Sequence, residues 1–205
     1  MTLTSTISWL LAVIVTASGI LCAQGVQDQD LARRLANDVT QQAAITEVTT
    51  SGDKKIPLLL SWTGKPPIPL GELELYIFEG GLADVFGQLK TKKAIPFLIK
   101  NINLHRWPDV APVWMKAPEV IEERMPAIKA LIRIGPDALK TLVNETPGPL
   151  SSEDRLARVF VVARIASALG QSESARQYLI SALGEANAER FWAEEGLKWL
   201  DTRGK

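Results

Sequence analysis

One histidine and one cysteine set narrow bounds on the chemistry open to this chain. With His105 alone, a histidine-based metal site or a Ser-His-Asp triad would need unusual partners. Beside Arg106 it reads as a polar loop residue. Glu122-Glu123 and Glu194-Glu195 are adjacent carboxylates, but helical neighbours point about 100° apart. Each pair therefore reads as solvated surface rather than as an acid and a base facing one substrate. Gly80-Gly81 lacks the surrounding pattern of a phosphate-binding loop. Arg155, Arg158 and Arg164 share one segment and could receive an anion or pair with nearby acids. Asn144-Glu145-Thr146 matches a glycosylation sequon that Pro147 follows, and it matters only in a eukaryotic secretory route. No residue is nominated as catalytic, cofactor-binding or metal-ligating, and no cofactor is expected.

The N-terminus carries an address. Residues 7–21 read ISWLLAVIVTASGIL, about the length of a signal-peptide apolar core and short for a membrane span. Ala23-Gln24-Gly25 places small residues where a signal peptidase cuts, and Asp28, Gln29 and Asp30 follow at once. Residues 1–25 are accordingly expected to be a cleaved signal peptide of an exported, periplasmic or secreted protein. No Lys or Arg precedes the apolar run, so an uncleaved anchor remains the competitor. Cys22 would carry lipid in a bacterial lipoprotein, but Leu21 before it is not the small residue that this chemistry favours. A membrane enters only through such an anchor or lipid. Cleavage after Ala23 or Gly25 leaves a chain without cysteine, which a hydrophobic core must hold together.

About 180 residues then remain, enough for one domain with a substantial core. The 23 basic residues balance the 23 acidic ones. A partner rich in phosphate normally selects a basic excess or stripe, so nucleic acid is excluded as an expected partner.

A phrase recurs along this remainder. Lys55-Ile56-Pro57-Leu58-Leu59-Leu60 returns as Ala94-Ile95-Pro96-Phe97-Leu98-Ile99, then as Ala138-Leu139-Lys140-Thr141-Leu142-Val143, and more faintly from Ala175. The starts lie 39, 44 and 37 residues apart. A period near ~40 residues marks stacked helix pairs, none of which buries its apolar face alone. Helical spacing predicts one helix over 31–48, with Leu31, Leu35, Val39 and Ala43 in line. A second covers 119–134, with Pro126 as a kink or the start of its regular part. A third covers 154–169, capped by Ser151 or Ser152 and ended by Gly170. The next carries Ala175, Tyr178, Leu179 and Ala182. The last, over 188–202, groups Trp192, Leu197 and Leu200 on one face, as suits a helix closing the stack. Residues 72–77 alternate with period two, which favours a strand. The repeat favours a helix there, through Leu75, Phe78, Leu82, Val85 and Phe86, and the helix is preferred.

The segments AIPFLIKNI from Ala94 and MPAIKALIRIGPDALKTLV from Met125 make this pattern resemble the HEAT-repeat family. ALGQSESARQYLISAL from Ala168 is closer to a tetratricopeptide junction, a family with a shorter period. The expected fold is all-α: a right-handed α-α superhelix, or solenoid, over residues 28–203, of roughly four helix pairs plus a C-terminal capping helix. The resemblance implies a non-catalytic scaffold for an unidentified protein partner. An enzyme or small-ligand binder on the same stack, and a membrane-tethered scaffold, are the alternatives.

Three proline-rich links follow the second helices of successive pairs, from Thr63, His105 and Asn144. In a regular stack such links line one edge. That edge would carry Trp62, Trp107 and Trp114 beside Pro67, Pro108 and Pro112. Aromatic residues on rigid loops anchor protein partners; equally, these prolines could simply stop helices while the tryptophans cover the core.

Overall fold

A computed structural model describes residues 25–106, 114, 116–145, 150–170, 173–184 and 187–203. Residues 1–24 of the proposed signal segment, the Trp107–Pro112 loop and residues 146–149 of the third proline-rich link lie outside these residues.

Every regular element among the described residues is helical. In chain order these are α1 (25–35), α2 (Asp38–Thr50), α3 (Ile56–Ser61), α4 (Glu72–Gln88), α5 (Ile95–Lys100) and α6 (Pro118–Arg124). They continue with α7 (Pro126–Ile134), α8 (Pro136–Asn144), α9 (Ser152–Leu169), α10 (Glu173–Ala182) and α11 (Asn187–Arg203).

The recurring phrase folds the same way in its first two copies. A 3-10 turn, Gly52–Lys55 or Lys92–Ala94, runs straight into a six-residue helix with proline in its first turn. Proline is tolerated there because that N–H has no helical partner. In the later copies Ala138 lies within α8 and Ala175 within α10, both fully buried.

Two predicted helices are each two. Over 31–48 the chain breaks at Asn37, whose Oδ1 accepts from the N–H of Val39 at 3.0 Å and of Thr40 at 3.3 Å. This N-cap starts α2 in a new register. Val39 is 85% exposed, and Gln41, Ala44, Ile45 and Val48 face inward instead. Over 119–134 the break falls at Met125, held at φ −117° and ψ 87°. The Pro126 ring excludes the residue before it from helical geometry, while Pro126 itself opens α7. Residues 72–77 are helical: Leu73 and Leu75 are exposed, and burial begins at Phe78. Glu74 Oε2 accepts from the Gly71 N–H at 2.9 Å, which fixes the start of α4. Ser151 caps α9, accepting from the Asp154 N–H at 3.0 Å.

The long helices pack in chain order, α2 on α4, α4 on α7, α7 on α9 and α9 on α11, with the most extensive contact between α9 and α11. Shorter helices lie against them: α5 on α7, α8 and α10 on α9, and α10 on α8. One apolar core runs through from Leu31 to Leu200. Its C-terminal part is aromatic, with Phe160 edge-on to Trp192 at 4.8 Å between centroids.

Two crossings depend on glycine. A Cβ on Gly87 of α4 would lie 2.7 Å from Ala130 Cα of α7. One on Gly196 of α11 would lie 2.5 Å from Ala163 Cβ of α9. On an exposed helix, Gly→Ala would stabilise by about 1 kcal/mol. Gly196→Ala is expected to do the reverse and cost about 1–3 kcal/mol through overpacking. Urea unfolding checks this; a rise in stability would mean that α9 and α11 do not meet so closely.

Candidate functional site

Among the residues nominated for a binding edge, the two described tryptophans, Trp62 and Trp114, are not free aromatic rings. Trp62 closes the end of α3 and is only 4% exposed, its ring 6.1 Å from that of Phe78. It is a core residue and not a surface anchor. Pro67 is half-buried in the following loop. Trp114 is half-buried too, its ring 6.1 Å from Phe160, and its carbonyl accepts from Trp192 Nε1 at 3.1 Å. Trp107, Pro108 and Pro112 lie outside the described residues.

The charged candidates mostly find partners. Glu122 meets Arg164 at 2.7 Å while Glu123 stays exposed, so this carboxylate pair does diverge. Glu194 meets Arg190 and Glu195 meets Lys198. Arg155 meets the buried Glu189 at 3.3 Å. Arg158 is buried within α9, its Nε and Nη1 without hydrogen-bond partners among the described residues.

The polar side chains that do converge lie around His105 and Arg106, in the loop after α5. The Arg106 backbone N–H donates to the Arg124 carbonyl at 2.6 Å, and Nε to the Glu123 carbonyl at 3.4 Å. Its Nη1 reaches Gln41 Oε1 of α2 at 3.5 Å, and its Nη2 donates to Asp84 Oδ2 of α4. Gln41 and Asp84 are both buried polar residues. Gln41 also donates from Nε2 to the Leu35 and Ile77 carbonyls, at 2.9 and 2.6 Å. The Tyr76 hydroxyl accepts from the His105 N–H at 2.6 Å, and burial raises the pKa of that phenol.

These groups line the middle of a groove made of three adjoining cavities. The first, about 450 Å³, is bounded by Arg33 and Asn37, by Ile68, Pro69 and Leu70, and by Leu73 and Ile77. The second, about 440 Å³, shares Asp38, Leu73 and Ile77 with it and adds Gln41, Tyr76, His105, Arg106 and Pro126. The third, about 330 Å³, shares Arg106 with the second and is otherwise polar, lined by Gln42, Asp84, Gln88, Glu123, Lys129 and Arg133. The groove thus crosses α2, α4 and α7, with apolar side chains set among Arg33, Asp38 and Glu74 at one end and an almost wholly polar lining at the other.

Sequence reasoning passed over this groove. One signal was present: Asp84 and Gln41 are polar residues at inward positions of helices, and buried polar groups need partners. Nothing local links them to Arg106, which is 22 residues from Asp84 and 65 from Gln41.

The arrangement offers donors, acceptors and apolar surface to a bound chain or small molecule. Among the described residues, no hydroxyl, thiol or carboxylate is hydrogen-bonded to the His105 ring, and no three His, Cys, Asp or Glu side chains cluster as a metal would require. Comparison with protein families, characterised proteins and solved structures yields no match for this chain.

His105 titrates below its ordinary value of 6.5, chiefly because burial penalises its charged form. The Arg124 cation adds to this and Glu153 opposes it. A lowered histidine pKa means that the unfolded chain binds the extra proton first. Its contribution is therefore complete above the ordinary value and is lost as pH falls below it. Urea midpoints at pH 7.5 and 5.5 are expected to fall more for the native chain than for His105→Gln. Equal falls would place the titration elsewhere.

Proposed function

We propose that this chain is an exported, non-catalytic helical-repeat scaffold that holds a protein partner. In this reading the helices form a right-handed HEAT-like superhelix of about four pairs, closed by α11 as a cap. The packing of each long helix on the next in chain order supports it, as do the two copies of one 3-10-to-helix unit. The export reading rests on the apolar run and small residues before residue 26. No helix among the described residues is long and apolar enough to cross a membrane.

The observation that carries the binding function is the groove across α2, α4 and α7, taken as the recognition face because Trp62 is buried. Leu73 is 63% exposed on its rim. The convergence of Tyr76, His105, Arg106 and Gln41 on one cavity also favours a second reading, a small polar ligand held there.

One experiment addresses export and binding together. The full chain with a C-terminal tag is recovered from outside the cell, its N-terminus is sequenced, and bound protein is compared with that on Leu73→Glu. A start near residue 24 or 26, and a partner retained by the native chain but lost from the variant, is expected. A chain still beginning at Met1 contradicts cleavage and makes the N-terminal segment an anchor, and capture indifferent to Leu73→Glu contradicts the groove.

A further inference from the structure

The charged end of the groove is unbalanced in a way that selects a partner. Lys129 and Arg133 lie four residues apart on α7 and both line the third cavity. Among the described residues neither forms an ion pair, although Arg106 in the same cavity is matched by Asp84. The other acidic group there, Glu123, is exposed and pairs with neither of them. Of the other two acids of α6, Glu122 meets Arg164 at 2.7 Å and Glu119 lies 4.0 Å from the same guanidinium. Two like charges at this helical spacing repel, and a bound anion relieves that repulsion. The opposite end of the groove carries its apolar side chains, with Leu73 exposed beside Leu70 and Ile77, and there Arg33 is set against two acids, Asp38 and Glu74. Between the ends, the Asp38 carboxylate offers an acceptor and the Tyr76 hydroxyl a donor, of the kind that a polypeptide backbone satisfies.

From this charge pattern we infer that the groove binds an extended peptide segment whose apolar residues seat against Leu70, Leu73 and Ile77 and whose acidic residues meet Lys129 and Arg133. The inference rests on the scaffold reading above and specifies the partner's chemistry. The two cations set sign preference, and Leu73 sets affinity irrespective of charge.

The test uses the full chain and fluorescein-labelled 12-residue peptides, with leucines in one half and aspartates in the other. The half-order is also reversed, and in a third peptide lysines replace the aspartates. Anisotropy at low salt is expected to show one aspartate peptide binding at least tenfold tighter than the lysine peptide. Lys129→Glu with Arg133→Glu is expected to remove that preference with the melting temperature kept. Both residues carry solvent-accessible side chains outside the core, so the fold should tolerate the change. Leu73→Glu should weaken the aspartate peptide by tenfold or more. Equal binding of the two charge types, a preference that survives the double variant, or no binding of any peptide overturns the inference. If partner capture still depends on Leu73 in those cases, the scaffold reading stands without it. Self-association abolished by Leu73→Glu would assign the groove to a second copy and also overturn the inference.

Discussion

Arg106 is the side chain on which the N-terminal half of the structure closes. Its guanidinium reaches Asp84 on α4, Gln41 on α2 and the Glu123 carbonyl at the end of α6, while its backbone N–H holds the Arg124 carbonyl. Three helices that are distant in sequence are thereby tied to one loop. Asp84 is 8% exposed, and a carboxylate so enclosed is costly unless a cation meets it. Arg106 keeps 26% of its side chain accessible, so the pair is anchored inside and open outside. That is why it separates the second cavity of the groove from the third instead of vanishing into the core.

The clasp works only because the helices beneath it approach closely. A Cβ on Gly81 would lie 2.9 Å from Gln41 Nε2, in the space through which that amide reaches the Leu35 and Ile77 carbonyls. Gly87 against Ala130 brings α7 onto the same helix, and Gly196 against Ala163 does so at the far end for α11 and α9. Close approach sets the crossings, and the crossings set which polar groups can share one guanidinium. Overpacking at such points is not absorbed locally, because interiors are already filled to crystalline density.

The all-helical class and the inward stripes of α9 and α11 were legible from spacing alone, because long apolar periodicity is a strong local signal. Helix boundaries were less so. Asn37 and Pro126 each divide a stripe that looks continuous, and the new register changes which residues are buried, as Val39 and Ala43 show. The alternation at residues 72–77 favoured a strand by period, but its leucines belong to an exposed first helical turn. The groove was not legible, for its members come from α2, α4, the loop after α5 and α7. Trp62 misled for the converse reason. A tryptophan beside prolines looks like a loop anchor, whereas packing against Phe78 is decided by where α4 lies.

These contacts build a groove across α2, α4 and α7 whose polar end carries Lys129 and Arg133, and the central claim is that Arg106 and Asp84 act as one unit in shaping it. A double-mutant cycle of Asp84→Ala and Arg106→Ala, read by urea unfolding, tests that claim most directly. Coupled contacts give interaction energies of about 0.5–3 kcal/mol, and a value in the upper half of that range is predicted here. Losses that add to within about 0.3–0.5 kcal/mol would contradict it, showing that the two side chains are neighbours without a shared role.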